Sequence, residues 1–390
     1  MNLFARALIR LPVAHLAAVL FLTETVRSAL MFSFVPAYAV HEAGITVTAV
    51  GVAVSVHFAA DTAMKAVSGC WLGRAAPHTI VQIAYGCGML GLIAIYFSHQ
   101  PALLIAGSAL LGIGASPIWL LCMSAVKEEE RATQMGWIYT VWLCSLGFGP
   151  VAVNFMLGRG FGLSFLFLAC LWFAGWLAAL RWDPAPLLSG PMQQRPLRKQ
   201  LRRLLWQMRR IRPLLPGMVL QTAAAGLLVP ILPHFAENVL RLTYAEYSLM
   251  LIAGGVGTAA FLVPMGRWAD GRGYKRFLVA GFGALAALLC LLLHSPNHIA
   301  TFTLVVMLGI AYAALLPAWN ALLAHFVPQD QKAMGWGLLS GVEAIGIMIG
   351  PAAGGWIAGR FDETATIFFS SLLLLGLALF YLFYRKPLRS

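Results

Sequence analysis

Charge is what this 390-residue chain has least of. Only 11% of its residues are Asp, Glu, Lys or Arg, against roughly 25% in a soluble domain, and acids are scarcest, 14 against 27 basic residues. A chain this poor in charge cannot clothe a water-facing surface. Cysteine is also sparse: Cys70, Cys87, Cys122, Cys144, Cys170 and Cys290 all fall in apolar stretches, without the close pairs that zinc or redox sites use. Disulfides and a metal site are not expected. No G-x-x-x-x-G-K-[ST] phosphate loop occurs, so no ATP hydrolysis, enzyme activity or cofactor is expected, and any drive must come from a gradient or the substrate. Gly86, Gly88 and Gly91 do spell G-x-G-x-x-G, but inside an apolar stretch with no preceding strand, where close helix packing is the reading.

What the chain has in quantity is apolar sequence: 60% of residues and a mean hydropathy of +0.81. These residues cluster in windows of about 20, the length that crosses a ~30 Å hydrocarbon core as helix. Spans are predicted at 13–37, 47–70, 79–97, 101–125, 133–157, 162–181, 213–237, 246–266, 277–294, 299–325, 333–358 and 364–384. The first window has no small-residue cleavage site and reads as a retained helix rather than a secretory signal. The expectation is an all-α integral membrane protein of twelve helices. Its halves are 1–182 and 213–390, joined by a basic linker at 183–212.

The net charge of +13 would suit nucleic acid, but its placement excludes that reading. With loops taken alternately, one side collects Arg6, Arg10, Arg74, Lys127, Arg131, the linker cations, Arg267, Arg272, Lys275, Arg276, Lys332, Arg385, Lys386 and Arg389. The other side holds Arg159, Arg241 and Arg360. The positive-inside rule then puts both termini in the cytoplasm. The linker run from Arg195 to Arg212, interleaved with Leu and Trp206, is either a topogenic basic segment or an amphipathic helix lying on anionic lipid.

The halves repeat. A shift of 197 residues lays Glu24-Thr25 on Gln221-Thr222, Pro36 on Pro233, Gly69 on Gly266 and Gly112 on Gly309. The shift drifts later, so that Met135-Gly136-Trp137 matches Met334-Gly335-Trp336 and Gly149-Pro150 matches Gly350-Pro351. Two six-helix repeats with a site at their interface are the architecture of alternating access.

Charges inside spans are costly, ~2.5 to 3.5 kcal/mol each on insertion scales, and so are functional candidates. Span one carries Glu24 and Arg27, span two Asp61 and Lys65, and span eleven Glu343. Glu24 and Arg27 share a helix face, as do His57, Asp61 and Lys65. They form either a network that holds and releases a proton or a permanent ion-pair lattice that fixes packing. Glu343 is a second titrating group or a gate, and Lys65 belongs with it as a candidate gate. The repeat replaces Glu24 by Gln221, Arg27 by Ala224, His57 by Gly254, Asp61 by Thr258 and Lys65 by Leu262. A charged first half and an apolar second half, with Leu227 and Leu228, suit a substrate with a polar head and a greasy tail. Trp119, Trp137, Tyr139 and Trp142 offer flat faces to sugar rings, or serve as packing aromatics.

The loop signature G-x-x-x-D-x-x-G-x-[RK] stands at Gly266, Asp270, Gly273 and Lys275, while its first-half copy has Gly73 in place of the Asp. The stretch G-P-x-x-G-G is complete at Gly350, Pro351, Gly354 and Gly355 but not after Gly149-Pro150, where Val153-Asn154 follows. On these motifs the chain resembles the major facilitator superfamily, which implies that Gly266, Asp270, Gly273 and Lys275 form a cytoplasmic latch. Further runs, His57-Phe58-Ala59-Ala60-Asp61, Ser116-Pro117-Ile118-Trp119, Val229-Pro230-Ile231-Leu232-Pro233 and Leu316-Pro317-Ala318-Trp319-Asn320, are similar to the flippases that move the diglucosyl-diacylglycerol anchor of lipoteichoic acid. That resemblance implies proton coupling through Glu24, Arg27 and Asp61 and a glycolipid as the amphipathic substrate. Substrate contacts are then expected from Trp119, Trp142, His57, Gln221, Leu228 and Asn320. Membrane lipids and protons are the expected partners, and the cell membrane the expected location. The competing readings are a proton-coupled efflux pump for small amphipathic drugs and a lipid-binding membrane protein without turnover.

Overall fold

The computed structural model describes residues 11–71, 77–124, 131–181, 212, 214–324 and 332–384. The linker cations from Arg195 to Arg210, and Gly73 and Arg74 of the first-half loop, lie outside the described residues. Within hydrocarbon a backbone amide finds no water, so each segment must satisfy its own hydrogen bonds, and an α-helix is the element that does so segment by segment. All regular structure among the described residues is accordingly helical.

The first unit, Met1–Met192, contains α1 (Leu11–Ala29), a π-turn (Leu30–Phe34), α2 (Val35–His41), α3 (Val47–Trp71), α4 (Pro77–Tyr96), α5 (Pro101–Ser124), α6 (Arg131–Leu157) and α7 (Phe161–Leu180). The second, Gln193–Ser390, contains α8 (Leu215–Leu228), α9 (Leu232–Asn238), α10 (Tyr244–Arg272), α11 (Tyr274–Leu292), α12 (His298–Ala324), α13 (Lys332–Arg360) and α14 (Glu363–Phe383). Among the described residues eleven helices are long and apolar enough to span a membrane, twelve when α8 and α9, bent by 47°, are taken as one span.

The two units pack by one pattern. In the first, α1 lies against α6 and α7, α3 against α5, and α4 against α5 and α7; in the second, α8 lies against α13 and α14, α10 against α12, and α11 against α12 and α14. The repeat read from sequence is thus a repeat of helix partners. The seventh span breaks at Val229–Ile231, ahead of Pro233. Pro230 and Pro233 cannot donate to the helix ladder, and their rings crowd the preceding turn. At the related place in the first span, ahead of Pro36, the chain stays continuous by widening into the π-turn.

Large apolar side chains point outward as well as inward. Ile83 and Leu90 on α4, with Phe97 just beyond it, are 62%, 61% and 61% exposed, seven residues apart and so on one helix face. Such a stripe suits lipid, not water. Helix ends are capped where polar sequence returns. Thr243 and Glu246 form a reciprocal capping box at the start of α10, and Asp362 accepts from Ala365 N at 2.6 Å at the start of α14.

Small residues set the closest crossings. A β-carbon on Gly112 would stand 3.2 Å from Asp61 N and against the His57 carbonyl, and one on the repeat-related Gly309 would stand 3.0 Å from Thr258 N. Contacts this short let α5 approach α3, and α12 approach α10, backbone to backbone. The G-x-G-x-x-G run behaves the same way: a β-carbon on Gly91 would stand 2.7 Å from both the Gly107 carbonyl oxygen and Leu111 N.

Gly112→Val should therefore separate α5 from α3 and destabilise the protein by about 1–3 kcal/mol, the usual range for overpacking. Gly147→Ala, within α6 and with nothing inside 4 Å, should not lower stability, because alanine is the better helix former. Thermal unfolding of the purified protein in detergent compares the two.

Candidate functional site

The crossing of α1 with α6 carries the most concentrated chemistry. Glu24 is 4% and Arg27 8% exposed, one turn apart on α1. Glu24 Oε2 accepts from Arg27 Nε at 2.9 Å and from Arg27 Nη2, and also from Trp142 Nε1 of α6 at 3.1 Å. The acid is thus held by one cation on its own helix and one neutral donor across the crossing. Gly149 permits this approach, since a β-carbon there would meet the Thr25 carbonyl, Ser28 Oγ and Ala29 N. Ser28 Oγ donates to the Ser145 carbonyl at 3.1 Å in the same contact.

Asp61 forms a second pair on α3. It is 6% exposed and accepts from Lys65 Nζ at 2.7 Å, one helical turn away. Lys65 is 40% exposed along its side chain, so the pair joins a buried carboxylate to a partly exposed cation. The structure therefore joins Lys65 to the charged group of the first half. His57 is fully buried, with Nδ1 3.0 Å from the Ser108 carbonyl of α5, and its Nε2 has no partner among the described residues. Its ring is turned to the α3–α5 contact.

Trp119 on α5 gathers with α6 aromatics: its ring lies 5.5 Å from Tyr139, edge-on, and 5.8 Å from Trp142. Because Trp142 also holds Glu24, the aromatic cluster and the acid are one continuous surface. Offset and edge-on rings at these distances favour each other and leave faces for a third ring.

In the second unit Gln221 and Glu343 come together. Glu343 Oε1 on α13 accepts from Gln221 Nε2 of α8 at 3.3 Å and from Trp319 Nε1 of α12 at 3.0 Å. Trp319 was not singled out from sequence, although it lies 200 residues after Trp119, each two residues beyond a proline; that recurrence was the available signal. Its neighbour Asn320 is exposed on α12. Leu228 is half-buried as the last residue of α8, at the bend.

The loop signature is placed differently again. Gly273, with φ +90°, closes α10 and opens α11, a backbone state that glycine tolerates without strain. Asp270 accepts from Tyr274 Oη at 3.1 Å, while Lys275 Nζ donates to the Leu382 and Tyr384 carbonyls at 3.1 and 2.8 Å, capping α14. Gly266 lies 3.4 Å, at its would-be β-carbon, from Pro317 of α12. Among the described residues no group of three His, Cys, Asp or Glu converges as metal ligands would.

Acids and cations held inside repeated six-helix units of lipid-facing helices define a multi-pass membrane transporter. The Major Facilitator Superfamily model matches residues 16–242 and 214–390, and the chain belongs to that superfamily. It is 31% identical over 373 residues to the proton-coupled antiporter flippase LtaA of Staphylococcus aureus, a match covering 93% of this chain and 92% of that one. It is 32% identical over 374 residues to the same-named protein of Staphylococcus saprophyticus, with the same coverage. Among solved structures the nucleoside transporter NupG superposes with a TM-score of 0.76 over 96% of this chain and 100% of its own, at 13% identity; that likeness concerns the fold alone.

Removing one member of the α1 pair should cost more than removing both. Glu24→Ala leaves the buried Arg27 guanidinium without its counter-charge and should destabilise the protein by about 3–5 kcal/mol. The double variant Glu24→Met, Arg27→Met should recover most of that loss in thermal unfolding.

Proposed function

We propose that this chain is a proton-coupled antiporter that flips a glycolipid anchor across the cytoplasmic membrane, with both termini on the cytoplasmic side. The observation that carries the reading is the joining of Glu24, Arg27 and Trp142 at one helix crossing, with the Asp61–Lys65 pair on the neighbouring α3. A carboxylate bonded to both a cation and a neutral donor can take a proton, release the cation, and keep a hydrogen-bond partner. That exchange is the elementary act of proton coupling. The named activity of the staphylococcal relatives supports the same assignment.

Glu24, Arg27 and Asp61 serve as the coupling group, Trp119 and Trp142 as the surface for a sugar head, and Leu228 with its apolar neighbours as the place for acyl chains. The two six-helix halves, 1–182 and 213–390, rock about the loop at Gly266 to Lys275, with the basic linker 183–212 between them. An exporter of small amphipathic drugs needs an acid and a greasy wall but no aromatic surface joined to the acid, and the Trp119–Trp142 contact favours the sugar-bearing substrate.

Reconstitution in liposomes with labelled diglucosyl-diacylglycerol tests the reading, scored by how fast the label becomes accessible from the opposite leaflet under an imposed pH gradient. Glu24→Gln and Asp61→Asn should each abolish the acceleration by the gradient in protein that still folds, Glu24→Gln with a lowered unfolding temperature because Arg27 keeps a carbonyl acceptor but loses its counter-charge. Gradient-driven flipping that persists unchanged in both variants rules the coupling group out.

The division of substrate contacts is tested by pairing the glycolipid with its sugar-free diacylglycerol. Trp119→Ala should weaken the glycolipid alone, by about 1 kcal/mol, on the scale of aromatic interactions. Leu228→Asn should weaken both lipids. Equal losses for both lipids in Trp119→Ala would transfer the assignment to the drug-export reading.

A further inference from the structure

The two units place an acid at corresponding helix crossings but on opposite partners. Glu24 of α1 corresponds to Gln221 of α8 through the 197-residue shift. The Gly149-Pro150 and Gly350-Pro351 pair sets the register of α6 on α13, and in that register Trp142 corresponds to Glu343. Packing agrees with it: Gly149 backs onto Thr25 and Ala29 of α1, and Gly350 onto Ala223 and Gly226 of α8. Each crossing also carries a hydroxyl-to-carbonyl bond, Ser28 Oγ to Ser145 O at 3.1 Å and, one helical turn away in this register, Thr222 Oγ1 to Glu343 O at 2.8 Å. In one unit the acid is on the first helix and the neutral donor on the fifth; in the other the acid is on the fifth and the neutral donor on the first.

The two acids differ in company. Glu24 has Arg27. Glu343 has only neutral donors, Gln221 and Trp319, and both bonds fall on Oε1; Oε2 accepts none among the described residues. Nor do the described residues of the helices around it in this unit place a cation beside it by sequence. The charged residues of α13 are Lys332 and Arg360 at its ends, about 16 Å and about 25 Å away along the helix at 1.5 Å per residue. The partner helix α8 carries no ionisable side chain. On α14 the ionisable groups are Glu363 at its start and Tyr381, whose ring packs on Trp319 at 6.2 Å. On α12 they are His298 at its start and Tyr312, whose phenol is within electrostatic reach of Glu343. Ionised, Glu343 brings an uncompensated charge into the membrane-spanning unit. With a proton on Oε2 it is neutral, and both existing hydrogen bonds survive.

We infer that Glu343 is a second proton-binding site, seated in the second half and separate from the Glu24–Arg27–Asp61 group. It takes a proton from water onto Oε2 and returns it as the protein cycles, with Gln221 and Trp319 holding the carboxyl in place in both forms. The inference rests on the proton-coupled reading for its place in transport, but not for the binding of the proton itself. It also gives the apolar half a means of changing charge without a resident cation.

A structural acceptor and a proton site respond differently to one substitution. Glutamine at 343 retains a carbonyl that can accept from Trp319 and Gln221 but cannot titrate, so Glu343→Gln should unfold at the wild-type temperature. In the purified full chain in lipid nanodiscs, the carboxylic-acid carbonyl band in infrared difference spectra, taken between acid and alkaline pH, should lose one component in Glu343→Gln. A different component should be lost in Glu24→Gln. Protons taken up per chain across the same interval should fall by about one in each variant, and Glu343→Asp should keep the uptake with a displaced band. Identical spectra and proton uptake in wild type and Glu343→Gln would overturn the inference, as would a Glu343 component that does not change with pH. Failure of the coupling reading appears elsewhere, as gradient-driven flipping that survives Glu24→Gln and Asp61→Asn, so the two can fail independently.

Discussion

Every polar group in this protein answers to the absence of water around it. The helices are long because hydrocarbon leaves the backbone no other donor or acceptor, and their crossings are close because Gly112, Gly149, Gly309 and Gly350 let backbones meet without intervening side chains. Ionic groups sit near those crossings, each with partners on its own helix or across the contact. Glu24 gathers Arg27 and Trp142, Asp61 gathers Lys65, and Glu343 gathers Gln221 and Trp319. The same constraint that makes an unpaired charge expensive accounts for each of these acids being held by hydrogen-bond donors.

Much of this architecture is legible in the sequence, for a physical reason. Hydrophobic length and the distribution of basic loops are one-dimensional signals, and so is a repeat. The windows at 47–70 and 364–384 lie almost on α3 and α14, and the partner pattern of the two units follows the 197-residue shift. Intrahelical pairs such as Glu24 with Arg27 and Asp61 with Lys65 are also readable, because three- and four-residue spacings place side chains together whatever else the fold does.

Contacts across helices were much less accessible. That Trp142 points its N–H at Glu24, or that Trp319 rather than Asn320 turns inward from α12, depends on the rotation of one helix against another, which a nearly uniform apolar sequence hardly marks. The loop signature shows the same limit. Its glycines are explained by local backbone geometry, whereas the reach of Lys275 to the end of α14 joins positions more than a hundred residues apart and has no trace in spacing.

The π-turn at Leu30–Phe34 carries a further consequence. A π-turn holds one residue more than the α-turn it replaces, so in a lineage of helices it is the footprint of a single insertion absorbed without breaking the rod. Wound as ordinary α-helix with no residue removed, the same segment would turn one side by about 100° relative to the other, the angle of one residue in 3.6 per turn. Pro36 and Tyr38, packed at one end of the span, would then hold their places only by swinging Glu24 and Arg27 away from Trp142. The widened turn therefore acts as a phase adjuster, letting one helix satisfy two neighbours whose spacing no regular helix could match.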